Sequence, residues 1–228
     1  MLHFIDSANI DKIKKCIEYY PIDGVTTNPT IISHEHAGDF KALIREIREV
    51  IGDDRMFHIQ TTASAAEDIV AEAEALRREV GGNFYIKIPI SPEGLKAAMQ
   101  LKKSGIGVTV TAIFSQQQAL IAADAGADFV APYVNRLDNI VSDGTHVVEE
   151  IVKLFNIQNS KCRVLAASFR NVEQIHKVSM TGAHAVTLAP ELYEKLVYHP
   201  LTLVAVEDFE KDWQSVYPSQ RIPELLGK

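Results

Sequence analysis

Eight short runs rich in β-branched and aromatic residues recur along the chain, each followed by a stretch with helical apolar spacing, and this alternation restricts the fold more than any other feature. The runs are Leu2 to Asp6, Gly24 to Asn28, Met56 to Thr61, Phe84 to Ile90, Gly107 to Ile113, Phe129 to Val134, Arg163 to Phe169 and Ala185 to Leu188. Between them, helical periodicity covers Asn9 to Tyr20, Asp39 to Ile51, Ala65 to Val80, Ser91 to Ser104, Ser115 to Ala125, Gly144 to Phe155 and Val172 to Met180. Gly52, Gly81, Gly82, Gly105, Gly126 and Gly182 stand where helices would stop. Strand, helix, strand in repetition means crossover connections and a parallel sheet. Eight units within about 190 residues suit an α/β (β/α)8 TIM barrel in a single domain. An open doubly wound sheet would be expected to carry a nucleotide fingerprint, and neither G-x-G-x-x-G nor G-x-x-x-x-G-K-[ST] occurs.

Strand alternation then sorts the residues by face. In the fourth run Phe84, Ile86, Ile88 and Ile90 share one face, and Tyr85, Lys87 and Pro89 the other. A lysine in so apolar a strand is either an edge residue reaching solvent or an enclosed amine. Enclosure disfavours the charged form and leaves a neutral nitrogen able to attack a carbonyl. If Lys87 marks the barrel interior, the inward set near the strand ends becomes Asp6, Thr26, Asn28, Gln60, Thr109, Thr111, Tyr133 and Ser168, all polar. Their neighbours Ile5, Val25, Ile59, Ile86, Ile88, Val108, Val110, Ala167 and Phe169 read as the helix-facing side. One buried polar residue has an easy structural explanation. Polar residues at the ends of seven successive strands instead describe an active-site mouth with a catalytic lysine.

With 228 residues and a net charge of −7, the chain can bury a sizeable core and is a poor partner for nucleic acid or an anionic membrane. Any anion site must be local. No run approaches the roughly 18 apolar residues of a membrane span, and the first strand starts at Leu2 without a charged leader. Cys16 and Cys162 are the only cysteines, so a cytoplasmic protein with reduced thiols is expected.

Five segments carry a resemblance: Phe4-Ile5-Asp6-Ser7-Ala8-Asn9, Gly24-Val25-Thr26-Thr27-Asn28-Pro29-Thr30, Ile86-Lys87-Ile88-Pro89, Ala131-Pro132-Tyr133-Val134-Asn135-Arg136 and Ala166-Ala167-Ser168-Phe169-Arg170. Together they resemble the transaldolase superfamily, most closely its short branch with the fructose-6-phosphate aldolases. The resemblance implies a Schiff-base lysine on the fourth strand, at Lys87, and no cofactor. It implies Asp6 as acid-base residue, a water held by Gln60, Thr111 and Tyr133, donor hydroxyls bound by Thr26, Asn28 and Ser168, and phosphate held by Arg136 and Arg170. Transaldolases of the superfamily generally carry glutamate on strand three and phenylalanine on strand six, where this chain has Gln60 and Tyr133; Arg170 is the transaldolase-like choice where the aldolases usually have lysine. The expected activity is therefore cleavage or formation of fructose 6-phosphate, with transaldolase as the second reading and an inactive sugar-phosphate-binding barrel as a third.

Three signals lie outside that site. His34-Glu35-His36 is read as a loop or first turn before the Asp39 helix, with no third ligand at zinc-like spacing, so no metal is expected. His58 shares a face with Gln60 one step deeper and reads as a core histidine or a residue tuning the site. Residues 1–199 account for the barrel, and 200–228 add an amphipathic run through Val204, Val206, Phe209 and Trp213 with a tail. The resemblance implies that this extension contacts neighbouring subunits in a homo-oligomer, a decamer of two pentameric rings; the alternative is that it folds back across its own barrel.

Overall fold

A computed structural model describes residues 1–35 and 38–227. The chain divides into two compact units, Met1–Tyr193 and Glu194–Lys228. In the first, strands β1 (Leu2–Asp6), β2 (Gly24–Thr26), β3 (Met56–Gln60), β4 (Phe84–Pro89), β5 (Gly107–Ile113), β6 (Phe129–Pro132), β7 (Arg163–Ala166) and β8 (Ala185–Leu188) close in sequential order into a parallel barrel. Closure pairs Ile5 with Leu188. Helices α1 (Ile10–Tyr19), α2 (Pro29–His34), α3 (Phe40–Ile51), α4 (Ala66–Val80), α5 (Pro92–Lys103), α6 (Gln116–Asp124), α7 (Val134–Asp138), α8 (Gly144–Ile157) and α9 (Val172–Met180) connect them, and α10 (Pro190–Val197) follows β8. Beyond it lie α11 (Pro200–Val216) and α12 (Ile222–Leu225).

The expected barrel is present, and so is its two-sided burial. Ile5, Val25, Ile59, Ile86, Ile88, Val108 and Val110 pack with the helices in one outer core. Phe4, Phe129, Leu165 and Ala185 form a separate cluster inside the barrel, with Tyr85 against it. Gly24 permits the β2–β3 approach, because a Cβ there would sit 2.2 Å from the Met56 carbonyl oxygen. Short polar side chains cap the helices: Asn9, Asp39, Ser91, Ser115, Asp143 and Asn171 each accept a backbone N–H from their helix's first turn.

Two expectations need correction. β7 stops at Ala166, three residues short of the sequence reading, and Ser168 adopts a left-handed backbone with φ 62°. Ala166 belongs to the outer core and Leu165 to the inner cluster, so alternation returns Ala167 to the inner face; the left-handed turn at Ser168 then breaks the alternation. The second concerns His34 and Glu35. They are the last residue and C-cap of α2, whose start is set by Asn28 as N-cap and Pro29 in the first turn. His36 of that triplet lies outside the described residues. Among the described residues no group of three or more His, Cys, Asp and Glu is arranged to hold a metal ion.

Candidate active site

β3, β4 and β5 are in register at the level of the lysine: Gln60 pairs with Lys87, and Lys87 with Thr109. Lys87 is only 3% exposed, and its Nζ donates to the Thr27 carbonyl oxygen at 3.3 Å. No ion pair to it occurs among the described residues. Arg48 shows what a buried structural cation looks like in the same fold: its guanidinium donates to the carbonyls of Val80, Gly52, Arg55 and Asn83 at 3.2, 2.7, 2.9 and 3.2 Å. Four acceptors repay much of its desolvation. Lys87 has one long contact, so burial of this side chain is not explained by packing alone.

Around it, the sequence-expected polar residues converge in part through direct contacts. Asp6 at the end of β1 accepts from Thr26 Oγ1 at 2.7 Å, and Thr26 Oγ1 lies 2.7 Å from Thr187 Oγ1 on β8. A hydroxyl has one proton, so Thr26 gives it to the carboxylate and accepts from Thr187. Asn28 spends its Oδ1 on the Ile31 N–H of α2 at 2.9 Å, leaving its amide nitrogen to donate. Gln60 Oε1 is buried without a hydrogen-bond partner among the described residues.

On the other side of the mouth, Tyr133 directly follows β6, and its hydroxyl accepts from Thr111 Oγ1 at 3.2 Å. The phenolic O–H is left free to donate elsewhere. The β5 register shifts between Thr111 and Ile113, where Ala112 has φ 58°, so the strand is distorted beside this contact. The Arg136 guanidinium lies 4.9 Å from the Tyr133 ring centre, and Phe114 meets the same ring edge-on at 5.6 Å. Arg136 and Arg170 are both exposed, and neither pairs with a carboxylate among the described residues. Ser168 accepts the Asn135 N–H through its carbonyl at 2.8 Å, tying the two arginine-bearing segments together by backbone.

Below this layer sits His58. It is fully buried, 4.6 Å from the Tyr85 ring in a stacked pose, with Nδ1 2.8 Å from Thr109 Oγ1 and Nε2 unpartnered among the described residues. Burial, and then the nearby charges of Lys87 and Arg163, hold its pKa well below the usual histidine value, so the imidazole is neutral. Thr187 was not among the sequence-selected residues. Alternation from Ala185 on β8 would have found it, because it stands two residues further on the same face.

The fold and the site define a (β/α)8-barrel protein with an enclosed lysine among hydroxyl, amide and carboxylate groups at the carboxyl ends of its strands. The sequence pattern of the family described as Transaldolase/Fructose-6-phosphate aldolase matches residues 3–220, and the chain belongs to that family of enzymes. A Streptococcus pneumoniae protein named "Probable fructose-6-phosphate aldolase" is 40% identical over 97% of this chain and 100% of its own length. An Aquifex aeolicus protein named "Probable transaldolase" is also 40% identical, over 95% of this chain and 98% of its own. Among solved structures, one described as native KDPGal shares the fold with a TM-score of 0.59 at 15% identity, covering 87% of this chain and 84% of that one. No helix among the described residues is long and apolar enough to cross a membrane.

Proposed function

We propose that the protein is a class I aldolase that cleaves or forms fructose 6-phosphate from dihydroxyacetone and glyceraldehyde 3-phosphate. The observation that carries this reading is Gln60 paired with Lys87 between β3 and β4, where transaldolases generally carry glutamate, together with Thr111 donating to the Tyr133 hydroxyl at 3.2 Å.

In this mechanism the Lys87 amine, once it has given up its proton, attacks C2 of the open-chain ketose, and loss of water gives an iminium. The iminium draws electrons from the C3–C4 bond, supplying the electrophile that a metal provides in other aldolases. Asp6 accepts the C4 hydroxyl proton, the bond breaks, and glyceraldehyde 3-phosphate leaves an enamine of dihydroxyacetone on the lysine. Protonation of the enamine and hydrolysis of the iminium release the ketone. Tyr133, with Gln60 and Thr111 orienting a water, moves the protons of iminium formation and hydrolysis; an amide can orient that water but cannot titrate. Thr26, Asn28 and Ser168 hold donor hydroxyls. Arg136 and Arg170, unpaired by carboxylates at the rim, hold the phosphate. The protein acts in the cytoplasm as a homo-oligomer assembled through residues 200–228.

Transaldolase is the second reading, favoured by Arg170 and by the name of the Aquifex relative. One assay separates the two. Fructose 6-phosphate offered alone should release free dihydroxyacetone, and adding erythrose 4-phosphate should divert little of it into transfer. Tyr133→Phe should lower cleavage by about 10²- to 10⁴-fold, as loss of an acid-base group does. Dominant transfer in the wild type, or cleavage within about a factor of two in the variant, replaces the aldolase with the transaldolase.

A further inference from the structure

Gln174 occupies the third position of α9 and makes more contacts than its helix requires. Its backbone N–H is accepted by the N-cap Asn171 at 2.9 Å, and its Oε1 accepts the Arg170 N–H at 2.8 Å. That much is a local end-cap. Gln118 builds the same device at the start of α6, where its N–H goes to Ser115 Oγ at 3.3 Å and its Oε1 takes the Phe114 N–H at 2.8 Å. The amide nitrogens then differ. That of Gln118 has no partner among the described residues. Gln174 Nε2 crosses to α7, donating to Asp138 Oδ2 at 2.6 Å and to Asn135 Oδ1 at 3.2 Å. Asp138 is itself fixed, its Oδ1 accepting the Gly144 N–H at 2.9 Å.

One planar amide therefore joins the residue that carries the Arg170 side chain to the helical turn that carries Arg136. Both arginines are exposed and long, so apart from the contact of Arg136 with the Tyr133 ring the separation of their guanidiniums depends on how well their backbones are set. The strand ends supply part of this, through the Val134 N–H to Ala167 and the Asn135 N–H to Ser168 carbonyl bonds at 3.0 and 2.8 Å. Those bonds stop short of Arg170, and the Gln174 amide continues them to it.

We infer that Gln174 is a positioning residue for phosphate: it sets the spacing of Arg136 and Arg170 and so makes the site selective for phosphorylated over unphosphorylated aldehydes. The inference rests on the sugar-phosphate reading of the mouth. Preorganised donors bind a phosphate better than mobile ones because less ordering is left to do on binding.

The test runs the aldol reaction from dihydroxyacetone with glyceraldehyde 3-phosphate and with glyceraldehyde as acceptors. Gln174→Glu keeps the acceptor for the Arg170 N–H but turns an oxygen toward Asn135 Oδ1 and Asp138 Oδ2, and Gln174→Leu removes both functions. Each should raise KM for glyceraldehyde 3-phosphate about tenfold, the factor that one ordinary hydrogen bond represents, while kcat and the kinetics with glyceraldehyde stay near wild type. Inhibition by inorganic phosphate should weaken in parallel. The double variant Gln174→Glu with Asp138→Asn reverses the polarity of the bond and should restore selectivity. Equal losses with both acceptors, or no change in KM for the phosphorylated one, overturn the inference. Arg136→Ala and Arg170→Ala are the control on the underlying reading. If they change selectivity and the Gln174 variants do not, only the positioning role fails; if they leave selectivity unchanged, the phosphate site fails with it.

Discussion

The single contact of Lys87 is to a carbonyl, the Thr27 oxygen at 3.3 Å, and not to a carboxylate. A carboxylate in that place would have tied the nitrogen to its charged form. The enclosed, lightly held amine should therefore form an adduct with dihydroxyacetone that borohydride reduces to a stable secondary amine. Peptide mass spectrometry of the reduced protein is expected to place the label on Lys87. A stable label on Lys12, Lys96 or another lysine, with Lys87 unmodified, removes the Schiff-base assignment. The enclosure of Lys87 was legible in the sequence, because a lysine among Ile86 and Ile88 has no packing reason to be there. The lone acceptor was not, since Thr27 lies 60 positions away and offers only backbone.

At the scale of elements, the loop leaving β3 is held by a side chain from the helix after it. The Glu72 carboxylate accepts Thr61 Oγ1 at 2.5 Å, Thr62 N at 2.9 Å, Thr62 Oγ1 at 2.8 Å and Ala63 N at 3.4 Å. Thr61 in turn donates its N–H to the Lys87 carbonyl at 3.0 Å, so this clamp begins one residue beyond Gln60. Burial acts to raise the pKa of Glu72, and the hydrogen bonds from Thr61, Thr62 and Ala63 together outweigh it and hold the carboxyl below its usual value. A carboxyl depressed in the folded state stabilises fully above its unfolded value of about 4.3, and that stabilisation is lost as pH falls through the folded value. Glu72→Gln should thus cost about 1 kcal/mol at neutral pH, allowing for partial exposure to solvent, and the gap should narrow at about pH 3.5. Urea unfolding at the two pH values measures it, and a gap that does not change with pH shows the charge to be irrelevant. Nothing in the residues around Glu72 points to a loop ten residues back. Strand and helix order is a matter of local periodicity and came through well. The early end of β7 did not, because the left-handed turn at Ser168 is a tertiary demand on a residue with no glycine to announce it. Helix α2 did carry its signal, in Asn28 followed by Pro29, but inside a motif that reads first as chemistry.

For the whole molecule, the barrel is finished before the chain ends. Tyr193 donates its hydroxyl to the Phe4 carbonyl at 2.9 Å and stacks on Tyr20 at 5.4 Å, which secures the end of the first unit against β1 and the C-cap of α1. In the second unit α11 is ordered by its own contacts: His199 caps it, and Trp213 Nε1 donates to the Gln220 carbonyl at 2.8 Å while its ring meets Tyr217 at 4.9 Å. Yet Leu201, Phe209 and Val216 are 70%, 71% and 65% exposed. An ordered helix with large apolar side chains exposed gains by burying them, and we propose another copy of the chain as the surface that covers them. Cutting after His199 keeps Tyr193 and every proposed site residue and removes that surface. Light scattering should find the full-length chain as an oligomer and the shortened chain as a monomer, and the shortened chain should still trap dihydroxyacetone on Lys87 under borohydride. A full-length chain that is already monomeric in dilute buffer shows that the extension does not hold subunits together; a shortened chain that stays assembled shows that the contacts lie on the barrel instead.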